Sequence, residues 1–334
     1  MRHGDPRMTR TAILGTGAYA PEKVLTNADL ERMVETSDAW ITERTGIKER
    51  RIAAPGEVTS DMAVKAAIRA LEMAHTRADE LDMIIVGTIS PDMPMPSCAV
   101  MVQAKLGAKK AFAFDLSAAC AGSLYGMAIA DQFIRNGSVR RALIIGAELL
   151  SRIVDWTDRN TCVLFGDAAG AMVLGPSPDA SRGILGIQLH ADGDAAGVLA
   201  IPGGGSLHPQ SVEVLEKKLN KVAMNGREVY KYAVRALPEA VLEVLGMQGL
   251  TPTDVTHLIG HQANLRIIES VCHRLRIPLE KCWVNIHRYG NTSSASLPTT
   301  LDEANRAGRL QPGDIIATMA IGAGMAWGAG VIKW

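Results

Sequence analysis

The sequence has few aromatic side chains and no excess of charge of either sign. Aromatic residues make up 4% of its 334 residues, and 35 basic residues balance 35 acidic ones, so the formal net charge is zero. Proteins that bind nucleic acid normally carry a basic excess. The charge balance therefore argues against a nucleic-acid partner, although a local basic patch is compatible with it.

Long hydrophobic runs are also missing. Although 47% of the residues are hydrophobic, no stretch approaches the roughly 18 consecutive apolar residues that a membrane-spanning helix needs. The first ten residues are polar and lack the apolar segment of a signal peptide. Met8 is an alternative start, which would make the residues before it an extension. We therefore expect a cytoplasmic protein with no membrane partner.

Cysteine is scarce, and its pattern points to no cross-link. The five cysteines are odd in number, widely spaced and form no CxxC pair, so neither a disulfide framework nor a zinc site is expected. Free thiols, most of them buried, fit a reducing compartment. Glycine is abundant, but the phosphate-binding patterns GxxxxGK[ST] and strand–GxGxxG–helix do not occur.

Short β-branched runs alternate along the chain with alanine-rich stretches of helical pattern. This alternation predicts an α/β protein whose strands are buried on both faces. The predicted strands are 83–86, 111–115, 142–146, 171–174, 257–259, 315–319 and 330–332. The predicted helices are 60–75, 97–106, 120–136, 226–245, 264–275 and 294–307. The region 175–225 is rich in Gly, Pro and Asp, and its segment 203–206 is predicted to be a flexible loop.

The two halves of the chain share a pattern. Segments 137–146 and 308–317 both read as a helix end, a turn and a buried strand, and each half then finishes on a Gly- and Ala-rich strand. A repeat offset by about half the chain suggests a duplicated α/β unit. We place the halves at residues 9–178 and 179–334.

Cys120 stands where an apolar strand runs into small residues, in DLSAACAGSLYG, and it opens an alanine-rich helix. The N-terminus of a helix carries partial positive charge and free N–H groups, which would lower the pKa of the thiol. Small neighbours leave room for a substrate. The pattern indicates a nucleophile, and a buried packing cysteine is the alternative interpretation.

Two polar residues of the second half stand out. His261 follows a buried strand in LIGHQANLR, and α/β proteins place ligand chemistry at the carboxyl ends of such strands. Asn291 lies in RYGNTSSAS, which reads as a turn before a helix. The alternatives are a hydrogen-bonded core histidine and a capping residue.

Taken together, DLSAACAGSLYG, GHQANLRII, RYGNTSSAS and GAGMAWGAG resemble β-ketoacyl-acyl-carrier-protein synthase III, the chain-initiating condensing enzyme of bacterial fatty acid synthesis. The resemblance extends from about residue 11 to 334 and includes TSDAWITERTGIKERR and TDRNTCVLFGDAAGA. It implies the thiolase-like fold, with two duplicated α/β halves in a five-layer αβαβα arrangement. The first half would carry the cysteine, the second the histidine and asparagine, and the protein would be a homodimer.

The resemblance also implies a reaction. Cys120 would take the acyl group from an acyl-coenzyme A primer, expected to be acetyl-coenzyme A. His261 and Asn291 would donate hydrogen bonds to the thioester carbonyl of malonyl-acyl-carrier protein, stabilising the enolate that forms as CO2 leaves. The backbone N–H groups of Cys120 and Ala323 would form the oxyanion hole. Alanine replaces the common family glycine there, which is acceptable if no positive φ is needed.

Matching motifs imply binding sites for both substrates, with acyl carrier protein as the protein partner. Coenzyme A is a substrate, so no cofactor and no metal are implied. The implied coenzyme A residues are Trp40 and Arg159 around the adenine, Arg44 and Thr45 at the nucleotide, Asn264 at the pantetheine arm and Gly226 in the tunnel. Lys231 and Arg266 would belong to a basic patch for the acidic carrier protein, and simple surface charge is the alternative.

The chain departs from the family pattern in two places. Gly260 stands where proline commonly precedes the histidine, which would loosen that turn. Met95 occupies the loop position that family members use to shape the acyl pocket across the dimer interface, so primer length is left open. A specialised starter enzyme of secondary metabolism shares every motif. A non-catalytic acyl-binding protein is the alternative from another class, but retention of all three polar residues argues against it.

Overall fold

The computed structural model describes residues 10–334, so the expectations about a signal peptide and about Met8 rest largely on positions outside the described residues. The strands are β1 Thr11–Tyr19, β2 Lys23–Thr26, β3 Glu49–Ile52, β4 Met83–Gly87, β5 Phe112–Leu116, β6 Ala142–Glu148, β7 Ala168–Pro176, β8 Gly183–Ala191, β9 Leu199–Ala200, β10 Ala223–Met224, β11 His257–Gly260, β12 Ile315–Gly322 and β13 Ala326–Lys333. The α-helices are α1 Asn27–Glu31, α2 Asp38–Thr45, α3 Thr59–Met73, α4 Cys98–Leu106, α5 Gly122–Arg135, α6 Val212–Glu216, α7 Gly226–Met247, α8 Leu265–Leu275, α9 Ile286–Tyr289 and α10 Ser296–Arg306.

Two sheets repeat one strand order. The first sheet runs β1-β7-β6-β4-β5 and the second runs β8-β13-β12-β11. In both sheets the first two pairings are antiparallel and the next pairing is parallel. A parallel bridge between Leu258 and Cys282 continues the second sheet where β5 continues the first. The same order and directions occur twice, as a duplicated α/β unit requires.

Helices cover both faces of each sheet and produce five layers. Between the sheets lie α5 and α10, where Leu124 and Leu297 pack with Ile144 of β6 and Ile316 of β12. The outer face of the first sheet is covered by α3 and α4. The outer face of the second sheet is covered by α7 and α8. The central strands are therefore apolar at nearly every position, and the expected αβαβα arrangement is confirmed.

Every strand and helix predicted from the sequence is present, with ends shifted by a few residues. The prediction missed β8, which lies inside the glycine-rich region 175–225, together with β1, the antiparallel pair β2–β3 and the short elements β9, β10, α1, α2, α6 and α9. In β1 the glycines mark close packing and do not break the strand. A Cβ at Gly15 would lie 2.4 Å from the carbonyl oxygen of Ala70 in α3. Within residues 10–334, no helix has both the length and the apolar character needed to cross a membrane.

The duplication also repeats the turns that begin the two central helices. A 3-10 turn, Ala119–Ala121, precedes α5, and another, Ser293–Ala295, precedes α10. Each turn begins with a residue in the left-handed region, with φ of 44° at Ala119 and 50° at Ser293. Such conformations are uncommon for residues other than glycine and concentrate at functional sites.

Candidate active site

Cys120 lies in the turn before α5 and is almost completely buried, with 6% of its surface exposed. Burial raises the pKa of its thiol to about 12; the nearby Ser293 hydroxyl lowers the pKa, and the negative charge of Glu148 raises it. The net shift is opposite to the lowering expected from the helix N-terminus, because burial dominates. Formation of the thiolate therefore calls for a proton acceptor.

His261 follows β11, held by a 2.8 Å hydrogen bond from its backbone N–H to the carbonyl oxygen of Met319. Its Nδ1 lies 2.6 Å from the Ser296 hydroxyl. Burial lowers the pKa of the imidazole to about 3, so the ring is neutral near pH 7. Gly260, expected to loosen this turn, pairs with Met319 in register at the end of β11.

Asn291 is fixed at both its backbone and its side chain. Its backbone N–H donates to the carbonyl oxygen of Leu164 at 2.8 Å. Its side-chain Oδ1 accepts the backbone N–H of Ser293 at 2.8 Å. An N–H can only donate, so this bond fixes the amide with its NH2 group free to donate elsewhere. Asn291 does not cap α10, whose N-cap is Ala295.

Cys120, His261 and Asn291 come together in one cavity of about 1190 Å³. It also reaches most of the residues expected to bind coenzyme A and carrier protein, namely Trp40, Arg44, Thr45, Gly226, Lys231, Asn264 and Arg266. A second, mainly apolar cavity of about 460 Å³ adjoins it and shares Cys120, Phe165 and Leu199. The thiol thus sits where a wide space with mixed polar and apolar walls meets a narrower, apolar one.

Ala323 lines the apolar cavity together with Cys120. Its backbone is outside the positive-φ region, and the left-handed position falls on the next residue, Gly324, at φ 135°. Alanine is therefore acceptable at position 323, because the backbone there does not need a positive φ. Gly322, which the sequence reasoning missed, is needed because a Cβ there would lie 2.6 Å from the backbone nitrogen of Cys120.

Trp40 has two guanidinium groups over its ring. The Arg44 and Arg159 Cζ atoms lie 4.9 Å and 5.0 Å from the ring centroid. Arg159 also donates from Nη1 to the carbonyl oxygen of Glu35 at 2.9 Å. At this spacing no planar base fits between Trp40 and Arg159, so adenine binding in that slot requires the Arg159 guanidinium to swing away.

The other predicted binding residues are held in different ways. Asn264 caps α8 and donates from Nδ2 to the carbonyl oxygen of Arg44 at 3.0 Å, which connects two walls of the cavity. Thr45 uses its hydroxyl internally, donating to the carbonyl oxygen of Ile41 at 2.6 Å. Gly226 begins α7, and a Cβ there would meet only the Cε of Met224, at 3.6 Å.

The two basic residues predicted to dock the carrier protein line the cavity, and each contacts another side chain. Lys231 pairs with Glu228 at 2.8 Å on the surface. Arg266 lies with its Cζ 5.9 Å from the centroid of the Tyr230 ring. Exposed pairs such as Lys231–Glu228 contribute little free energy, so the lysine can exchange partners.

Met95 projects from the loop before α4 and is 84% exposed in the single chain. The loop is anchored by Asp92, whose carboxylate accepts the Ser60 backbone N–H at 2.8 Å and the Ser60 hydroxyl at 2.5 Å. Ser97 caps α4. Met95 therefore extends from a fixed base and contributes nothing to the apolar cavity of its own chain.

Sequence reasoning also missed Glu148, a fully buried carboxylate at the end of β6 behind the site. The sequence feature that could have revealed it is an acidic residue at the end of a buried, apolar strand. Within the described residues, no cluster of three or more His, Cys, Asp or Glu could hold a metal ion. The five cysteines, all in that part of the chain, are free thiols.

Comparison with known proteins gives one consistent result. The family profile for the C-terminal part of 3-oxoacyl-[acyl-carrier-protein] synthase III matches residues 245–334, and the profile for its preceding part matches residues 114–193. The β-ketoacyl-[acyl-carrier-protein] synthase III of Caldanaerobacter subterraneus subsp. tengcongensis is 56% identical over 322 residues, 96% of this chain and 97% of the relative.

Solved structures of similar proteins give the same fold. The 3-oxoacyl-[acyl-carrier-protein] synthase III of Aquifex aeolicus VF5 superposes with a TM-score of 0.90 at 47% identity, covering 97% of this chain and 100% of that one. The priming β-ketosynthase of the R1128 polyketide pathway superposes with a TM-score of 0.91 at 33% identity, covering 98% and 97%.

Proposed function

The chain belongs to the β-ketoacyl-[acyl-carrier-protein] synthase III family, and we propose that Cys120, His261 and Asn291 carry out its reaction. It is an acyltransferase that condenses an acyl-coenzyme A with malonyl-acyl-carrier protein and so initiates fatty acid synthesis. The observation that carries the residue assignment is their convergence on one cavity, with Trp40 and Arg44 towards its other side. We propose that the reaction needs no cofactor, because both thioesters are substrates.

In the first half-reaction the Cys120 thiolate attacks the carbonyl carbon of the primer thioester, and coenzyme A leaves as its thiolate. The backbone N–H groups of Cys120 and Ala323 stabilise the tetrahedral oxyanion. The acyl chain then occupies the apolar cavity, whose lining supports this role. The lining side chains include Ile89, Leu150, Ile201 and Val222.

In the second half-reaction malonyl-acyl-carrier protein enters through the wide cavity. The Asn291 NH2 group and the neutral His261 ring donate to its thioester carbonyl. Neutral hydrogen-bond donors stabilise the enolate oxygen as CO2 leaves. A fixed negative charge would repel the enolate, and a fixed positive charge would hold it too tightly. The enolate carbon attacks the acyl-Cys120 carbonyl, and Cys120 leaves as a thiolate with 3-oxoacyl-acyl-carrier protein as the product.

For His261 to donate, the proton must be on Nε2. The Ser296 hydroxyl lies 2.6 Å from Nδ1 and can donate to it, which leaves the proton on Nε2. The carbonyl oxygen of Ser293, 2.8 Å from the same hydroxyl, is a second acceptor for its one proton. We propose that the hydroxyl donates to Nδ1 when the Nε2 proton is engaged by the substrate carbonyl.

Coenzyme A would bind with its adenine between Trp40 and a displaced Arg159, its nucleotide near Arg44 and Thr45 and its pantetheine arm past Asn264 and Gly226. We propose Lys231 and Arg266, at the cavity, as docking residues for the acidic carrier protein. Charge reversal at both should raise the KM for malonyl-acyl-carrier protein more than the KM for acetyl-coenzyme A. Arg309→Glu, at an exposed site after α10, is the matched control and should change neither.

We further propose that the protein is a cytoplasmic homodimer. Each subunit would consist of two halves, residues 9–178 and 179–334. The edge strand β5 supports pairing, since within residues 10–334 no strand pairs with its outer side, and Phe112 on it is 46% exposed. Continuing the sheet through β5 would place Met95 of one subunit near its partner's acyl cavity. Sedimentation at micromolar concentration should give a dimer, and a monomer would overturn the proposal.

Acetyl-coenzyme A is the proposed primer. The R1128 priming ketosynthase, similar in fold, is the reason to keep a starter enzyme of secondary metabolism as the second candidate. A screen of acetyl-, butyryl- and octanoyl-coenzyme A with malonyl-acyl-carrier protein separates the two. The highest kcat/KM for acetyl supports the proposal, and a strong preference for a longer primer favours the second candidate.

A further inference from the structure

Glu148 is a buried carboxylate that the condensation described above does not use. It ends β6 with no exposed surface, and no cation pairs with it among the described residues. Its Oε2 accepts the Ser90 hydroxyl at 2.6 Å and the Ile89 backbone N–H at 3.1 Å. Its Oε1 accepts the Ser293 hydroxyl at 2.9 Å and the Ser294 hydroxyl at 3.1 Å. A buried carboxylate without a cation is costly unless hydrogen bonds or a proton stabilise it.

Ser293 connects this carboxylate to the nucleophile. Its hydroxyl donates to Glu148, it lies near enough to the Cys120 thiol to lower the thiol pKa, and Ser293 and Cys120 line the same cavity. The backbone holds the serine in place, because its φ is 50° and its N–H is bonded to Asn291. Ser294 has a shorter bond, 2.6 Å, to the carbonyl oxygen of Gly87, which leaves Ser293 as the link between Cys120 and Glu148.

Charge favours a proton transfer between the two ends of this chain. Two buried negative charges, a thiolate and a carboxylate, would repel each other in a site of low dielectric. If the proton lost by Cys120 moves to Glu148, the site keeps a single negative charge throughout. Burial raises the pKa of the Glu148 carboxyl as well as that of the thiol, so each group can hold the proton while the other is charged.

We propose that Ser293 and Glu148 form a proton relay that activates Cys120. This rests on the proposed role of Cys120 as the nucleophile. The Cys120 S–H proton passes to the Ser293 oxygen as the Ser293 proton passes to Glu148 Oε1. The products are a thiolate, which receives a hydrogen bond from the reformed serine hydroxyl, and a neutral carboxylic acid. Glu148 acts through Ser293 and is a positioning residue for the thiolate.

The relay also accounts for the return of the proton. Coenzyme A leaves as a thiolate and takes its proton from solvent, so Glu148 keeps its own proton while Cys120 carries the acyl group. Condensation then releases the Cys120 thiolate, and Glu148 returns the proton through Ser293. The full cycle takes up one proton from solvent, as loss of CO2 from a malonyl carboxylate requires.

Other titratable groups around the site are poorly placed for this task. His261 packs against Ser296 through Nδ1, and burial lowers its pKa to about 3, which makes it a weak proton acceptor. Asp115 lines the apolar cavity, but its two oxygens accept the backbone N–H groups of Cys98 and Ala99 at 2.6 Å and 2.7 Å. Asp167 is buried near β7 and is bonded to Ser151 and Ala53.

The test measures the rate at which iodoacetamide alkylates Cys120 in the full chain, between about pH 6 and pH 10, with peptide mass spectrometry to identify the cysteine. The variants are Glu148→Gln, Ser293→Ala and the double variant. Asp167→Asn is the control for loss of a buried carboxylate. The relay predicts that each single variant slows alkylation near pH 7 at least about tenfold. It also predicts that the double variant is no slower than the slower single one, because the residues act as one unit.

Faster alkylation of Cys120 in the Glu148→Gln variant would overturn the relay. If Glu148 acted only through its charge, Glu148→Gln would lower the thiol pKa and speed alkylation. If Glu148→Gln does not fold, Ser293→Ala alone decides, and an unchanged rate there overturns the proposal. Acetyl transfer from acetyl-coenzyme A is followed on the same samples. If the wild-type protein is acetylated and the variants are alkylated at the wild-type rate, the relay is rejected and Cys120 remains the nucleophile. If the wild-type protein is not acetylated, Cys120 is not the nucleophile.

Discussion

Asn291 and Ser293 are joined by a hydrogen bond of 2.8 Å, from the backbone N–H of Ser293 to the side-chain Oδ1 of Asn291. This single bond does two things. It orients the Asn291 amide so that its NH2 group is available to a substrate carbonyl. It also helps hold Ser293 in its left-handed conformation, with the hydroxyl between Cys120 and Glu148.

Asn291→Asp tests the donor role of this amide. The carboxylate keeps an acceptor for the Ser293 N–H but loses the NH2 donor and repels the developing enolate. We expect malonyl-acyl-carrier protein decarboxylation to fall by ~10²–10³, the usual loss for one such donor. Acetylation of Cys120 should fall much less. His261→Ala should show the same division, and normal decarboxylation in both variants would show that the assigned roles are wrong.

His261 should make the protein sensitive to acid. Its native pKa, about 3, lies below the ordinary value of 6.5. Below about pH 6.5 the unfolded chain therefore binds a proton that the native protein does not. Each pH unit between these values lowers the free energy of unfolding by about 1.4 kcal/mol.

The measurement is denaturant unfolding of wild type and His261→Gln near pH 7.5 and pH 5. Effects of the other groups cancel in the difference. Going to the lower pH should therefore shift the stability difference by roughly 2 kcal/mol in favour of the variant. A difference that stays constant with pH would mean that the buried ring is protonated in the native state or that its pKa is not lowered.

Gly322→Ala should disrupt the site. The added Cβ would lie 2.6 Å from both the Cys120 backbone nitrogen and the Ala118 carbonyl oxygen, so the turn that holds the thiol must shift. We expect acylation of Cys120 to fall by at least about tenfold, since small displacements of reacting groups are costly. Gly193→Ala is the matched control, because no atom lies within 4 Å of its Cβ. Equal acylation rates in the two variants would contradict this packing argument.

Met95 should influence primer length from across the proposed dimer. Methionine is unbranched and adaptable, so short and medium chains should be accepted more evenly than with an aromatic residue there. Met95→Phe and Met95→Ala are compared by kcat/KM for acetyl-, butyryl- and octanoyl-coenzyme A. If neither variant changes the ratio by more than about threefold, ~0.7 kcal/mol of differential transition-state binding, Met95 does not act as a gate.

The sequence predicted the layers and the site residues for different reasons. Buried runs such as 142–146 are apolar because both faces of the sheet are covered, so periodicity and length were enough to find them. Cys120, His261 and Asn291 could be found because each interrupts such a pattern with a reactive or polar group. Their meeting in one cavity depends on how two distant halves pack together, which the family resemblance implied and local pattern could not.

Some properties of the site could not be predicted from the sequence because they depend on burial in the folded chain. The pKa of the Cys120 thiol is raised because the second half closes over the helix N-terminus, and the local sequence carries no sign of this. Glu148 looks like an ordinary strand end until Ser293 and Ser294, some 145 residues later, are placed against it. Strand β8 was missed because its glycines resemble those of a loop.

The central claim is that Cys120 carries the acyl group between the two substrates. The direct measurement is mass spectrometry of the intact chain after mixing with acetyl-coenzyme A, followed by addition of malonyl-acyl-carrier protein. We predict one acetyl group per chain, located on Cys120 and lost when the second substrate is added. Cys282→Ala, which replaces the one cysteine residue of the five that is not fully buried, should behave like wild type. Acetylation of Cys120→Ala above about a percent of the wild-type level, or an acetyl group that malonyl-acyl-carrier protein does not remove, would contradict the account.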